Sequence, residues 1–326
     1  MKKRVFSALM AAALTASMVF GTVAASAEEK NNEDITIGIS MCAIESQMWA
    51  EYQSTMHATC DEMGVKYTEV IAENDTQKQN QQIENLISSG ADAIVIAPAD
   101  GEAVVAAIKK CNDAGVPVVM ANRAAGEGAE VVGTVTSDNE AMVQRELEYI
   151  LEKAKEDGTK YKVIKLVGSL TDANAIARDN GFNAVADANP DVFDVVSEVA
   201  TEWKGELALA GILSAFEENP DVNMIFSPSD ALLPSIISGL QQLDKYKKIG
   251  EEGHVTLVTF DGAKDAVDAI KEGYVDVVSV QDATNQAKLC IEAAVAAVKG
   301  EEVESMTDPG FEVTADNVDE LGFEGY

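Results

Sequence analysis

The chain has 326 residues, enough for two domains at ~150 residues each, and its 47% hydrophobic content can fill sizeable cores. Seven prolines and 23 glycines exclude collagen-like and low-complexity classes. With 24 Lys+Arg against 56 Asp+Glu, the net charge of −32 opposes binding to nucleic-acid phosphates and to anionic membrane surfaces.

Residues 1–27 read as a secretory signal peptide. Lys2, Lys3 and Arg4 form the charged start, an apolar run follows, and Ala25-Ser26-Ala27 is a small-residue cleavage site. The mature chain is expected to begin near Glu28, periplasmic or extracellular, and losing three basic residues takes the charge to −35. No cysteine stands near the cleavage site to carry a lipid, and no later stretch has 18 apolar residues free of charge. Cys42, Cys60, Cys111 and Cys290 form no C-x-x-C pair and allow three full disulfide pairings, among which the sequence does not choose. Cys60, Cys111 and Cys290 fall in helical patterns as buried apolar residues. With only His57 and His254 in the chain, no metal site is expected.

From residue 35 short β-branched runs alternate with longer helical patterns. Strands are predicted over 35–41, 65–72, 93–97, 116–121 and 131–135, with helices over 48–63, 76–89 and 101–114 between them. Thr76-x-x-Gln79 resembles a capping box, and the amide-rich stretch 77–82 reads as a solvated helix face. The alternation restarts with a helix over 138–157. Strands follow over 161–167, 192–199, 222–226, 255–260 and 275–280, with helices over 173–188, 205–218, 229–240, 263–272 and 282–299. Continuous apolar strands alternating with helices predict mostly parallel sheets, and their number suits two doubly wound sheets better than one.

Ligands of open parallel sheets bind beyond the carboxyl ends of the strands, so the residues following each strand are the candidates. They include Ser46, Met48 and Trp49 after the first strand, Asn122-Arg123 after the fourth, Ser229 after 222–226, Asp261 after 255–260 and Gln281 after the last. Planar polar groups beside an aromatic ring suit a neutral, polyhydroxylated ligand. Asp100, Asp172, Asp230 and Asp282 each precede a helix and read as N-caps or as ligand contacts. Trp49 and Trp203 read equally as core, surface or cleft aromatics. Enzyme signatures are missing: there is no phosphate-binding G-x-x-x-x-G-K-[ST] and no G-x-S-x-G nucleophile turn. Gly126-Glu127-Gly128 leads into a strand rather than a helix and reads as a turn.

Taken in order, Thr36-Ile37-Gly38-Ile39, Ile94-Val95-Ile96-Ala97-Pro98-Ala99-Asp100, Arg178-Asp179-Asn180-Gly181-Phe182, Asn219-Pro220-Asp221-Val222, Phe260-Asp261-Gly262 and Val280-Gln281-Asp282 resemble the periplasmic sugar-binding proteins of the ribose-binding type. These are solute receptors of ATP-binding-cassette importers. The resemblance implies two α/β lobes joined by three hinge strands, one lobe spanning about 34–136 plus 282–308 and the other about 137–281 plus 309–326. It implies a monomeric, non-enzymatic receptor that needs no cofactor, closes over a monosaccharide and delivers it to a membrane permease. The same fold could instead serve a sensor or hold a non-sugar small molecule.

By resemblance, Met48, Trp49 and Trp203 are the ring-stacking positions. Arg123 and Arg178 are cleft arginines, and Asp261 and Gln281 are the cleft carboxylate and amide. Cys42 replaces the family's serine, Ser46 and Ser229 replace asparagines, Met48 replaces a phenylalanine, and Asn122 replaces an aspartate beside the arginine. That last change is expected to leave Arg123 less neutralised and to favour an acidic or differently substituted ligand.

Overall fold

The computed structural model describes residues 30–326; the expected signal peptide lies outside the described residues. In chain order the elements begin β1 (Thr36–Met41), α1 (Gln47–Met63), β2 (Lys66–Ile71), α2 (Thr76–Ser88), β3 (Ala93–Ile96), α3 (Val105–Asp113), β4 (Val118–Asn122) and β5 (Gly133–Ser137). Next come α4 (Asn139–Asp157), β6 (Tyr161–Val167), α5 (Ala173–Ala188), β7 (Phe193–Ala200), α6 (Gly205–Glu218), β8 (Met224–Phe226) and α7 (Leu233–Gln242). The chain ends with β9 (Thr256–Asp261), α8 (Lys264–Glu272), β10 (Val277–Val280), α9 (Ala283–Val298), β11 (Met306–Asp308), β12 (Phe311–Thr314) and α10 (Val318–Leu321).

Two six-stranded sheets result, ordered β11-β5-β4-β3-β1-β2 and β12-β10-β9-β8-β6-β7. Every pairing is parallel except β10 with β12. The central strands are buried on both faces, which is why they read as unbroken apolar runs. Edge strands β2 and β7 carry exposed polar residues, as strands with one open edge do.

Side-chain alternation along each strand feeds two cores per sheet. On one face of the first sheet Val95, Val119 and Ala121 pack against α1 and α9; on the other, Ile94, Ile96, Val118 and Met120 pack against α2 and α3. In the second sheet Leu166, Ile225 and Val278 face α6, α7 and α8, whereas Val163, Met224, Phe226 and Phe260 face α4 and α5. The fold is therefore two α/β lobes.

The chain passes between the lobes three times: from β5 into α4, from β10 into α9, and from β11 into β12. Asp308 ties the three passages together. Its carbonyl accepts from Asp138 N at 2.8 Å, and its carboxylate accepts from Asp282 N (2.7 Å), Gln286 Nε2 (2.9 Å) and Gly310 N (3.0 Å). Gly310 has φ +60°, and a Cβ there would lie 2.3 Å from Met142 Cε and 2.8 Å from Val280 O. Only glycine fits that passage.

Several local expectations are corrected. α3 begins at Val105 rather than 101, because Asp100 first closes a separate turn by accepting from Glu102 N and Ala103 N. β5 lies two residues later than expected, where Gly133–Ser137 pairs with β4. The stretch expected to be helical over 229–240 opens as a 3-10 turn, Asp230–Leu232, before α7. The cap of α2 is Asp75, not Thr76, and Gln79 is buried instead of solvated, donating to Ala97 O at 2.9 Å and accepting from Ala99 N at 2.8 Å. Asp172 and Asp282 do cap their helices, whereas Asp230 does not. Its carboxylate accepts from Thr259 Oγ1, Gly262 N and Ala263 N, which pins the turn just after Asp261. All four cysteines are free and buried.

Candidate functional site

The carboxyl ends of the strands in both sheets open onto one interlobe cavity of about 110 Å³, room for a small molecule rather than a single water. Of the residues singled out in the sequence, Ser46, Met48, Trp49, Asn122, Arg123, Arg178, Trp203, Ser229 and Asp261 line it. Gln281 does not. It is fully buried behind the wall, where it holds Asn122 from one side and Asp261 from the other.

Each wall residue is set by its element. Ser46 caps α1, accepting from Trp49 N at 3.2 Å, and so fixes the first turn that carries Met48 and Trp49. Asn122 and Asp261 end β4 and β9 with φ of 61° and 117°, backbone conformations unusual for residues other than glycine. Trp203 is also left-handed, at φ 59°. Its indole packs against the backbone after β6, where a Cβ at Gly168 would lie 2.3 Å from ring atoms Cη2 and Cζ2. Such departures cost about 1–3 kcal/mol each and persist where surrounding bonds over-determine them.

Those bonds are visible. Asp261 Oδ2 accepts from Ser229 Oγ at 2.6 Å, while Oδ1 accepts from Gln281 Nε2 at 2.7 Å and lies 3.2 Å from Arg178 Nη1. Arg178 also donates to Asn139 Oδ1 (2.7 Å) and Pro228 O (2.6 Å), with its guanidinium 3.7 Å above the Phe260 ring. Burial pushes the Asp261 carboxyl up despite Arg178, Ser229 and Gln281, and burial pulls Arg178 down despite Asp261. For both partners desolvation outweighs the pairing.

The second arginine is held from across the cleft. Arg123 Nη2 in the first lobe lies 2.8 Å from Asp172 Oδ2 in the second, and Nη1 donates to Pro98 O at 3.1 Å. Its guanidinium carbon sits 5.4 Å from the Trp49 ring centroid. Burial alone would lower its pKa, but the carboxylates of Asp172 and Asp261 help turn the net shift upward, Asp172 foremost. The expectation that Asn122 leaves Arg123 poorly neutralised is therefore overturned, because Asp172 supplies the carboxylate. Asn122 instead accepts from Asn174 Nδ2 across the same gap at 2.9 Å. Burial raises the Cys42 thiol, which stays protonated 3.5 Å from Arg123.

Asn174 lines the cavity and was missed in the sequence, along with Glu45 and Asn74 on its rim. The available signal was spacing: Asn174 stands four residues before Arg178, on the same face of α5. Two buried donors on the wall, Arg123 Nε and Trp203 Nε1, have no protein partner. Among the described residues no cluster of His, Cys, Asp or Glu could hold a metal, and no helix is long and apolar enough to cross a membrane.

Comparison with known proteins agrees with this geometry. A family model described as periplasmic binding protein domain matches residues 37–302. The ribose import binding protein of Bacillus subtilis is 28% identical over 274 residues, 84% of this chain and 85% of that protein. The D-ribose/D-allose-binding protein of Pseudomonas aeruginosa is 30% identical over 241 residues, 72% of each chain. Among solved structures, a transporter solute binding protein from Bacillus halodurans with bound myo-inositol superposes with TM-score 0.79 at 24% identity, covering 90% of this chain and 98% of that one.

Proposed function

The chain belongs to the periplasmic binding protein family, and on that premise we propose that it is an exported receptor for a neutral monosaccharide or cyclic polyol. It captures the ligand between lobes spanning about 34–136 plus 282–308 and 137–281 plus 309–326. It then delivers it to the membrane permease of an ATP-driven importer. Export rests on the signal peptide over 1–27, cleaved near Ala27.

The observation that carries the ligand class is the pairing of the cleft's charges. Arg123 faces Asp172 and Arg178 faces Asp261, so neither cleft arginine is left unpaired to attract an anion, and Glu45, the remaining lining carboxylate, repels one. Hydroxyls fit such a wall, since each donates and accepts. Trp49 comes from the first lobe and Trp203 from the second, giving apolar faces for the C–H side of a ring. The unpartnered Nε donors of Arg123 and Trp203 are available to ligand oxygens. The names of the relatives, which include receptors for ribose and allose, support the same class.

Binding and closure are coupled because a ligand touching both walls favours the closed arrangement by its differential affinity for it. Hinge closure is the established behaviour of periplasmic binding proteins. The three passages bound together at Asp308 are the natural pivot.

Thermal unfolding of the mature protein against pentoses, hexoses, inositols, sugar acids and nucleosides tests the reading. A ligand at 100 times its Kd stabilises by ~2.7 kcal/mol, a shift of several degrees at this size. The expected result is a shift with a neutral sugar or polyol. A shift only with acids or nucleosides, or with nothing, overturns it.

A further inference from the structure

Asp172 has a place that neither the strand-end logic nor its helix-capping position explains fully. Its carboxylate is almost wholly buried, with its side chain 1% exposed. Capping α5 uses only Oδ1, which accepts from Asn174 N at 2.9 Å. Oδ2 makes no hydrogen bond of ordinary geometry and instead sits 2.8 Å from Arg123 Nη2, an atom of the opposite lobe. Arg123 has no carboxylate neighbour within its own lobe: its other partners there are Pro98 O, the Cys42 thiol and the Trp49 ring. The position beside it, where an acid would neutralise it locally, is Asn122, whose amide is committed to Gln281 and Asn174.

We propose that Asp172 is the residue that sets the receptor's preference for neutral over anionic sugars, by neutralising Arg123 from across the cleft. The proposal rests on the sugar-receptor reading. Its physical content is conditional charge. When the lobes part, Arg123 loses Asp172 and presents an unpaired guanidinium, which an aldonate or uronate carboxylate could approach. When they close, Asp172 arrives at that guanidinium and stands against the intruding carboxylate. Like charges brought together out of water oppose closure, so an acid is rejected at the step that retains a neutral sugar. An aspartate beside Arg123 on its own lobe would neutralise it in both states and would not couple rejection to closure. Asp172 touches the ligand site only through Arg123, so its role is that of a positioning and specificity residue.

The test compares wild type, Asp172→Asn and Asp172→Glu. Asparagine keeps an oxygen to cap α5, so the helix start survives while the charge goes. Titration calorimetry measures Kd for neutral and acid pairs: D-ribose with D-ribonate, D-glucose with D-glucuronate, and D-galactose with D-galacturonate. For the pair whose neutral member the wild type binds, Asp172→Asn is expected to raise acid affinity relative to neutral affinity at least tenfold, about 1.4 kcal/mol. Acid binding to Asp172→Asn should weaken as salt rises from 20 to 300 mM, while neutral binding should not. Asp172→Glu should restore the wild-type ratio. A ratio unchanged in Asp172→Asn, or both affinities falling together without salt dependence, overturns the proposal and leaves the receptor reading intact. A wild type that already prefers the acid overturns this proposal and the neutral-ligand reading together. A neutral ligand outside these pairs is titrated with its own acid analogue; a wild type that binds no neutral sugar or polyol at all, in a preparation whose unfolding is cooperative, refutes the sugar reading and this proposal with it.

Discussion

The buried pair Arg178–Asp261 should be worth little as a pair and much to each partner alone. Both groups are nearly inaccessible, their closest approach is 3.2 Å, and burial moves each pKa in the direction that disfavours its charge. Replacing Asp261 with Ala strands a guanidinium that keeps only Asn139 Oδ1, Pro228 O and the face of Phe260. Replacing Arg178 with Met strands a carboxylate that keeps Ser229 and Gln281. Each single change should cost about 3–5 kcal/mol of stability, the range for breaking a buried ion pair from one side. The double variant removes both desolvation penalties and should lie within about 1 kcal/mol of wild type, or above it. Urea unfolding of the ligand-free protein at 25 °C, with m-values compared to confirm equal exposure, supplies the cycle. The reasoning is refuted if the double variant loses the sum of the two single losses, which would show that the two groups do not interact and that each is stabilising on its own. Single losses below about 1 kcal/mol would refute the burial argument instead.

The other expectations concern separate features. Gly168→Ala should displace the Trp203 ring from its backbone shelf and weaken monosaccharide binding at least tenfold while the unfolding midpoint stays within a few degrees; equal binding in the variant would show that the indole does not face the ligand. Ellman titration should find no rapidly reacting thiol in the native protein and four after denaturation, because all four cysteines are buried and free and burial pushes Cys60 and Cys290 to about 12 and Cys111 to about 11. His254 is pulled down by burial but raised on balance by Asp276, so its contribution to stability is present below pH ~6.5 and is lost as pH rises through its folded-state value. His254→Gln should flatten that part of the stability profile, and an unchanged slope between pH 6 and 9 would remove His254 as its cause.

The sequence carried the order of elements because both-face burial leaves a plain apolar signature: 93–97 and 255–260 could hardly be anything but central parallel strands. It was silent where that signature fails. β11, β12 and α10 are only three or four residues long and carry one or two buried residues each, so neither a period nor an apolar run marks them. The wall residues Ser46, Asn122, Ser229 and Asp261 were legible because the topology of a parallel sheet places strand ends at the site. Gln281 shares that position but points behind the wall, a difference of side-chain direction that no spacing encodes. The pairing of Arg123 with Asp172 was out of reach, since the partners are 49 positions apart in different lobes and meet only through the relative placement of two sheets. The left-handed backbone of Trp203 and Asp261 contradicts local preference and is held by tertiary bonds, which is where reading by propensity is expected to fail.

The chain contains two tryptophans, Trp49 and Trp203, and both line the interlobe cavity. Intrinsic tryptophan fluorescence therefore reports on the cleft alone. Titration of the mature protein with pentoses, hexoses and inositols should give a saturable emission change for at least one neutral sugar or polyol, with one site per chain and reduced quenching by iodide once bound. Unchanged emission and quenching across that whole series would contradict a sugar receptor that closes its two lobes over the ligand.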